Sequence, residues 1–214
     1  MFDSYVEYKL SSSLTSKAAP EHLRREISGT IRSLNLDDQY EEAGRLTATI
    51  LDLQRAAAEG VDRRAVFAHD RNTLEIWEHL YGRGASLDVG LAKLLERGNL
   101  IVIDKIAVYH KHRGRNLALR ALADTLRSFR ANCDLAILKV YPLQFSKGSA
   151  SFDIRLRMDL LPRDWDTSRA KLKAHYQKLG FQCRPDSDFM FIASDEAHER
   201  LTTWRSGAKG PSSV

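Results

Sequence analysis

Long apolar runs are missing from this chain. Runs such as "LIVI" and "LAIL" are only strand-sized, whereas a helix crossing a bilayer needs about 20 residues. Cysteine is scarce: Cys133 and Cys183 stand alone without metal-ligand spacing, so two buried thiols are expected rather than a metal site or a nucleophile. Only 12 glycines and 5 prolines occur, which places the composition far from collagen-like or low-complexity chains. No internal repeat is visible. The opening "MFDSYVEYKL" lacks the basic and then apolar layout of a secretory signal, so a cytoplasmic protein without membrane attachment is expected.

What is present is ordinary for a globular domain: 43% hydrophobic and 29% charged residues in 214, long enough to bury a substantial core. One domain over 23–200 is expected. It is preceded by a segment, 1–22, with a possible first strand at "SYVEYKL", and followed by a mobile tail, 201–214. The net charge of +5 and pI near 9.2 suit an anionic ligand, and charge alone does not separate a phosphate-bearing cofactor from nucleic acid.

Periodicity organises the rest. "EISGTIRSLNL" and "RLTATILDLQ" read as strands, the second alternating Leu46, Ala48 and Ile50 with Thr47, Thr49 and Leu51, and "DDQYEEAG" reads as the connection between them. From Asp70 the period becomes helical, with Leu74, Trp77, Leu80 and Tyr81 inward and Gly82 as a stop. A short helix "LDVGLAKLLERG" follows, with Leu91, Leu94 and Leu95 inward. "NLIVIDKIAVY" is a strand buried on both faces, interrupted by Asp104 and Lys105. "NLALRALADTLRSF" is amphipathic, with Ala118, Leu119, Leu122, Leu126 and Phe129 on its apolar side. "DLAILKVYPLQF" is a buried strand whose Pro142 must cost it a neighbour, and a poorly periodic insertion, 146–166, follows. A helix over "DTSRAKLKAHYQKLGF", with Leu172, Tyr176 and Leu179 on one stripe, and a strand "DFMFIAS" complete the pattern. This alternation predicts an α/β chain: a mixed sheet with helices on its faces.

The stretch with the most chemistry is "HRGRNLA", His112 to Ala118. A helix start offers unpaired N–H groups and partial positive charge, and Arg113, Gly114, Arg115 and Asn116 there make a place for a diphosphate. The loop joins a buried strand to its helix, which is where open sheets hold ligands. The plainer reading is a short turn of solvated basic residues.

These residues resemble the GCN5-related N-acetyltransferases, whose loop Q/R-x-x-G-x-G/A holds the diphosphate of acetyl-coenzyme A. "RGRNLA" matches at Arg113 and Ala118, with Asn116 in place of the central glycine, and asparagine tolerates positive φ. "AHYQKLGF" is similar to the family's late helix motif, and the two motifs with the strand between them span Ile101 to Ser194. The resemblance implies a mostly antiparallel central sheet of about six or seven strands flanked by helices. Its fourth and fifth strands would splay so that a pantetheine arm enters between them. It implies cofactor contacts from Ile106, Ala107, Val108, Arg113, Gly114, Arg115, Asn116, Leu117 and Ala118, and a bulge at Asp104 and Lys105.

By the same resemblance Tyr176 is the proton donor near the sulfur, although on its stripe it also reads as a core tyrosine. Asp104 is the expected base, or else a buried ion-pair partner. His110 and His112 would share a face if the strand continued, but no further ligand accompanies them, so no metal is expected. His175 should point to solvent. The expected activity is acetyl transfer from acetyl-coenzyme A to a small-molecule or peptide amine by direct attack, in a chain that can form a homodimer. Trp165 and "DIRLRMD" fall where an acceptor pocket would be built, or form an exposed hairpin. Two rivals stay open. One is a coenzyme A-binding sensor or scaffold without turnover. The other is a nucleic-acid-binding protein using Arg113, Arg115, Arg120 and Arg127, which would merge with the enzyme reading if the acceptor were RNA-linked.

Overall fold

A computed structural model describes residues 4–12, 20–81, 95, 98–129, 131, 133–146, 153–183 and 187–193. Seven strands form one sheet: β1 Ser4–Ser12, β2 Arg24–Leu34, β3 Tyr40–Leu51, β4 Leu100–Val108, β5 Leu135–Lys139, β6 Gln182–Cys183 and β7 Phe189–Ala193. Their spatial order is β1-β2-β3-β4-β5-β7-β6, and every neighbouring pair is antiparallel except β4 and β5. The described helices are α1 Leu53–Ala58, α2 Arg63–Phe67, α3 Arg71–Tyr81, α4 Leu117–Phe129 and α5 Trp165–Gln177. None is long and apolar enough to cross a membrane.

The sheet is covered on both faces. On one, α1 to α3 bury Leu53, Val66, Phe67, Ile76 and Leu80 against Leu100, Val102, Leu135 and Ile137. On the other, Leu119, Leu122 and Leu126 of α4, with Tyr176 of α5 and Leu179 just beyond it, pack on Ile27, Leu46, Ile101, Ala136 and Leu138. The runs "LIVI" and "LAIL" are apolar throughout because both faces of their strands meet a helix layer.

Local chemistry sets the boundaries. Asp70 accepts from the Thr73 N–H at 2.9 Å and starts α3. Asp164 caps α5 by accepting from the Thr167 N–H at 2.6 Å. Gly180, at φ 95°, turns the chain out of that helix.

Several expectations change. Only Asn35 to Gln39 turn between β2 and β3, and "YEEAG" belongs to β3, because the Asn35 side chain accepts from the N–H groups of Asp37 and Gln39 and closes the turn early. β3 stops at Leu51, and α1 and α2 occupy a stretch with no predicted helix, each capped by an aspartate. In α3 the buried face is Thr73, Ile76 and Leu80, so Leu74 and Trp77 are only partly buried. The Pro142 strand ends sooner than expected, at Lys139. The insertion carries single 3-10 turns at Ile154–Leu156 and Met158–Leu160. The helix expected over 87–98 lies outside the described residues apart from Leu95 and Gly98, as do 147–152 and the tail 201–214.

The parting of two strands positions the site. β4 and β5 pair only from Leu100↔Leu135 to Ile103↔Leu138, after which each follows its outer neighbour. Tyr109 donates its N–H to Ala43 O at 2.9 Å beside β3, while Val140 donates to Asp188 O at 2.7 Å beside β7. Where pairing stops, β4 bulges: Lys105 faces Thr47 and Ile103 faces Ala48, leaving Asp104 as the extra residue.

Gly44 holds β3 against the free end of β4. A Cβ there would collide with the Ala107 carbonyl oxygen and stand 3.0 Å from Val108 Cα, and both obstacles are backbone. Gly44→Ala is therefore expected to cost about 1–3 kcal/mol, read as a lower urea midpoint. A variant as stable as the parent would show that β4 does not lie this close.

Candidate functional site

The gap between the parted strands is the floor of a cleft of about 770 Å³. Of the residues singled out in the sequence, Asp104, Ile106, Ala107, Val108, Arg113, Ala118 and Tyr176 all line it. They come from β4, the loop after it, the first turn of α4 and the last turn of α5. Gly114, Arg115, Asn116 and Leu117 do not line it, and the Leu117 side chain is buried against Ile31, Ala43 and Ala121 instead. At Leu117 only the backbone could meet a ligand.

Asp104 is held on two sides: Thr49 Oγ1 donates to its Oδ2 at 2.8 Å, and Asn72 Nδ2 donates to its Oδ1 at 3.0 Å. Its carboxyl keeps surface open to cleft water yet sits between walls of protein. That burial raises its pKa above the usual carboxylate value, against the opposing pull of the two hydrogen bonds. A carboxylate so placed takes a proton more readily than a surface aspartate. It makes no ion pair, so the ion-pair reading of Asp104 does not hold among the described residues.

Backbone direction on β4 follows from alternation. The Tyr109 N–H and the Ala107 carbonyl face β3, so the groups of Ile106 and Val108 face the gap. Of the three residues expected to present backbone there, Ile106 and Val108 do, and Ala107 spends its carbonyl on the β3 side. The Val108 carbonyl is engaged by Arg113, whose Nε donates to it at 3.3 Å while its NH2 group donates to Leu156 O and approaches Met158 Sδ at 3.9 Å. Arg113 thus bolts the insertion to the end of β4, and burial lowers its pKa. In the loop that follows, Gly114 has φ 80° and Asn116 φ 55°. Asn116 accordingly adopts the glycine-like conformation that the motif departure required of it, and its carbonyl accepts the Arg120 N–H at 3.0 Å to begin α4.

Tyr176 is 9% exposed and closes the floor. It is the core residue its stripe allowed, with its ring centroid 6.3 Å from that of Phe181, and it also lines the cleft, with a hydroxyl that has no hydrogen-bond partner among the described residues. Burial alone pushes its pKa up to about 12, so it stays a phenol at neutral pH. Its neighbour His175 faces the cleft rather than solvent, and burial, then Lys178, lowers its pKa.

No protein-family model and no curated protein matches the chain. Among solved structures, the chain is similar to the crystal structure of a KacTA–DNA complex, with TM-score 0.41 and 11% identity over 83% of this chain and 73% of that one. It is also similar to arylalkylamine N-acetyltransferase 2 from Aedes aegypti, with TM-score 0.32 and 14% identity over 77% of this chain and 73% of that one.

The remaining candidates separate from the site. His110 and His112 sit in a 3-10 turn, not on a continued strand. His112 is 2% exposed with its Nε2 3.1 Å from Glu41 Oε1, while His110 is exposed. No cluster of metal-binding side chains occurs among the described residues. Cys133 is buried and burial pushes its thiol up to about 12, as an inert thiol requires. The basic face loses two members, since Arg113 turns inward and Arg127 pairs with Asp124. Trp165 packs on Tyr141 and Phe145 at 5.2 and 5.1 Å, and of these three only Tyr141 lines the cleft.

Thr49 and Asn72, which hold Asp104 from positions 55 and 32 residues away, were not among the residues singled out in the sequence. Nor were the Leu156 and Met158 contacts with Arg113. A polar residue at the exit of β3 and an asparagine in the first turn of α3 were the available signals, and neither stands out before the fold brings it to the bulge.

Proposed function

We propose that the protein is an acyl-coenzyme A-dependent N-acyltransferase that moves acetyl to a primary amine. The observation that carries this reading is the cleft itself: β4 parts from β5 after Ile103, and an aspartate at the bulge and a tyrosine at the floor face the same space. The residues fit an amide-bearing thioester. Backbone groups of Ile106 and Val108 face a gap where β5 no longer pairs, and the positive-φ loop at Gly114 and Asn116 leads into the start of α4, whose first N–H groups have no partner within the helix.

Acetyl-coenzyme A, when bound, supplies a thioester carbonyl that an amine attacks, with the thiolate leaving. Asp104 accepts a proton from the incoming ammonium, directly or through one water, and its raised pKa suits it to that task. Tyr176 donates its phenolic proton toward the departing sulfur, and the second proton that the nitrogen loses as the amide forms restores the phenol. Ile106 and Val108 orient the arm, and Arg113 exchanges its hold on Val108 for phosphate. Most of the rate gain comes from this positioning, in a protein placed in the cytoplasm.

Calorimetry with acetyl-coenzyme A, followed by thiol release across an amine panel, tests the reading. Tyr176→Phe is expected to bind acetyl-coenzyme A as the parent does and to lower kcat by about 10²-fold or more. Unchanged stability should accompany it, since no hydrogen bond to the hydroxyl is lost. Binding without transfer to any amine would favour the sensor reading, and absence of binding would end both.

A further inference from the structure

The bulge at Asp104 does more than turn one carboxylate. Ile103 and Ile106 both pack on the α4 side of the sheet, although strict alternation would put residues three apart on opposite faces. The inserted residue absorbs that mismatch, so Asp104 and Lys105 share the other face, toward α3. Two adjacent, oppositely charged side chains therefore leave one side of the cleft, their Cα atoms about 3.8 Å apart.

Their surroundings treat them differently. Asp104 is held by Thr49 and Asn72. Lys139, the nearby cation on β5, pairs with Glu75 of α3. Lys105 is half-buried, lines the cleft and has no hydrogen-bond or ion-pair partner among the described residues. A half-buried ammonium in a ligand cleft, without a counter-ion among the described residues, is set up to receive one. The loop that would hold a donor's phosphates begins beyond Val108, about 10 Å further along β4, so the anion at Lys105 belongs to the other substrate.

Resting on the acyltransferase reading, we propose that the acceptor is an amine carrying a carboxylate a few bonds from its nitrogen, the chemistry of a free amino acid. Its ammonium lies at Asp104 and its carboxylate at Lys105. Lys105 then sets acceptor specificity, and the adjacency of the two charges limits how far apart the acceptor's own charges can be.

Matched acceptors test this with the full chain in the presence of coenzyme A. Calorimetry compares glycine with methylamine, L-phenylalanine with phenethylamine, and L-lysine with cadaverine, with L-phenylalaninamide separating a carboxylate from a carbonyl. For at least one pair the carboxylate member is expected to bind about tenfold or more tightly. Lys105→Ala should reduce that ratio to near one, Lys105→Arg should retain part of it, and Lys105→Glu should invert it. No preference in the parent, or a ratio unchanged in Lys105→Ala, overturns the proposal. Because binding is read apart from turnover, the two failures separate. Selective binding without acetyl transfer rejects the acyltransferase reading and leaves the carboxylate subsite standing. Transfer to amines regardless of a carboxylate does the reverse.

Discussion

Replacing Asp104 with asparagine is expected to lower kcat for amine acetylation by about 10²- to 10⁴-fold, with little change in acetyl-coenzyme A affinity. The parent rate should rise with pH through a raised carboxyl pKa, because only the ionised form accepts a proton, and that limb should vanish in the variant. Stability gives an independent reading. Burial makes ionisation harder in the folded protein than in the unfolded chain, so between the ordinary and raised values the unfolded chain has released a proton that the fold keeps. Stability therefore falls as pH rises across that window. Asp104→Asn removes this dependence, and the Asn72 amide can turn its oxygen toward the new amide. At neutral pH the variant should unfold at a urea midpoint close to the parent's. A large loss of stability, or retained activity with the same pH profile, would reject Asp104 as the base.

Truncating Phe67 to alanine should cost about 3–5 kcal/mol, the largest effect on stability expected here, lowering Tm by about 6–20 °C. Phe67 is fully buried in α2, its ring centroid 5.3 Å from that of Trp77 in a tilted contact and 6.4 Å from that of Tyr81 in an edge-on contact, both in α3. The same helix pair is tied to β2 by Arg24, which is 7% exposed and donates to Val66 O at 2.8 Å and Asp70 at 2.5 Å. Loosening this layer frees Asn72, one of the two donors that hold Asp104. Hydrogen exchange should accelerate in α3 before it does in α4, which packs on the opposite face. A cost below about 1 kcal/mol would mean that α2 and α3 are not anchored through this ring.

Some of the site was readable before any coordinates. Arg113 and Ala118 flank a loop whose glycine and asparagine both take positive φ, and both residue types allow that conformation. The interruption of an apolar strand by Asp104 and Lys105 stands out in the pattern, the family resemblance implies a bulge there, and β4 bulges at Asp104. The helical stripe of Leu172, Tyr176 and Leu179 put the tyrosine on the core side, where the fold keeps it. Other features were not readable. His175 is adjacent to Tyr176 and reads as solvent-facing in sequence, but the insertion and β5 build a wall that makes its side of α5 an interior surface. Arg113 reads as a phosphate ligand in sequence, yet it donates to Leu156, 43 residues later. α1 and α2 are too short, at six and five residues, to show a period.

Pattern along the chain was enough to determine the main strands, the longer helices α3, α4 and α5, the doubly covered β4 and β5, and the charged interruption in β4. Those follow from local spacing, since each element must bury its own apolar positions and cap its own ends. Whether the charged groups meet was decided only in three dimensions. The partners of Asp104, the direction of the Ile106 and Val108 backbone and the place of Lys105 on the cleft wall depend on β4 leaving β5 after Ile103. That separation is set by competition between two outer neighbours, β3 and β7, for strands they pair with through residues distant in the chain.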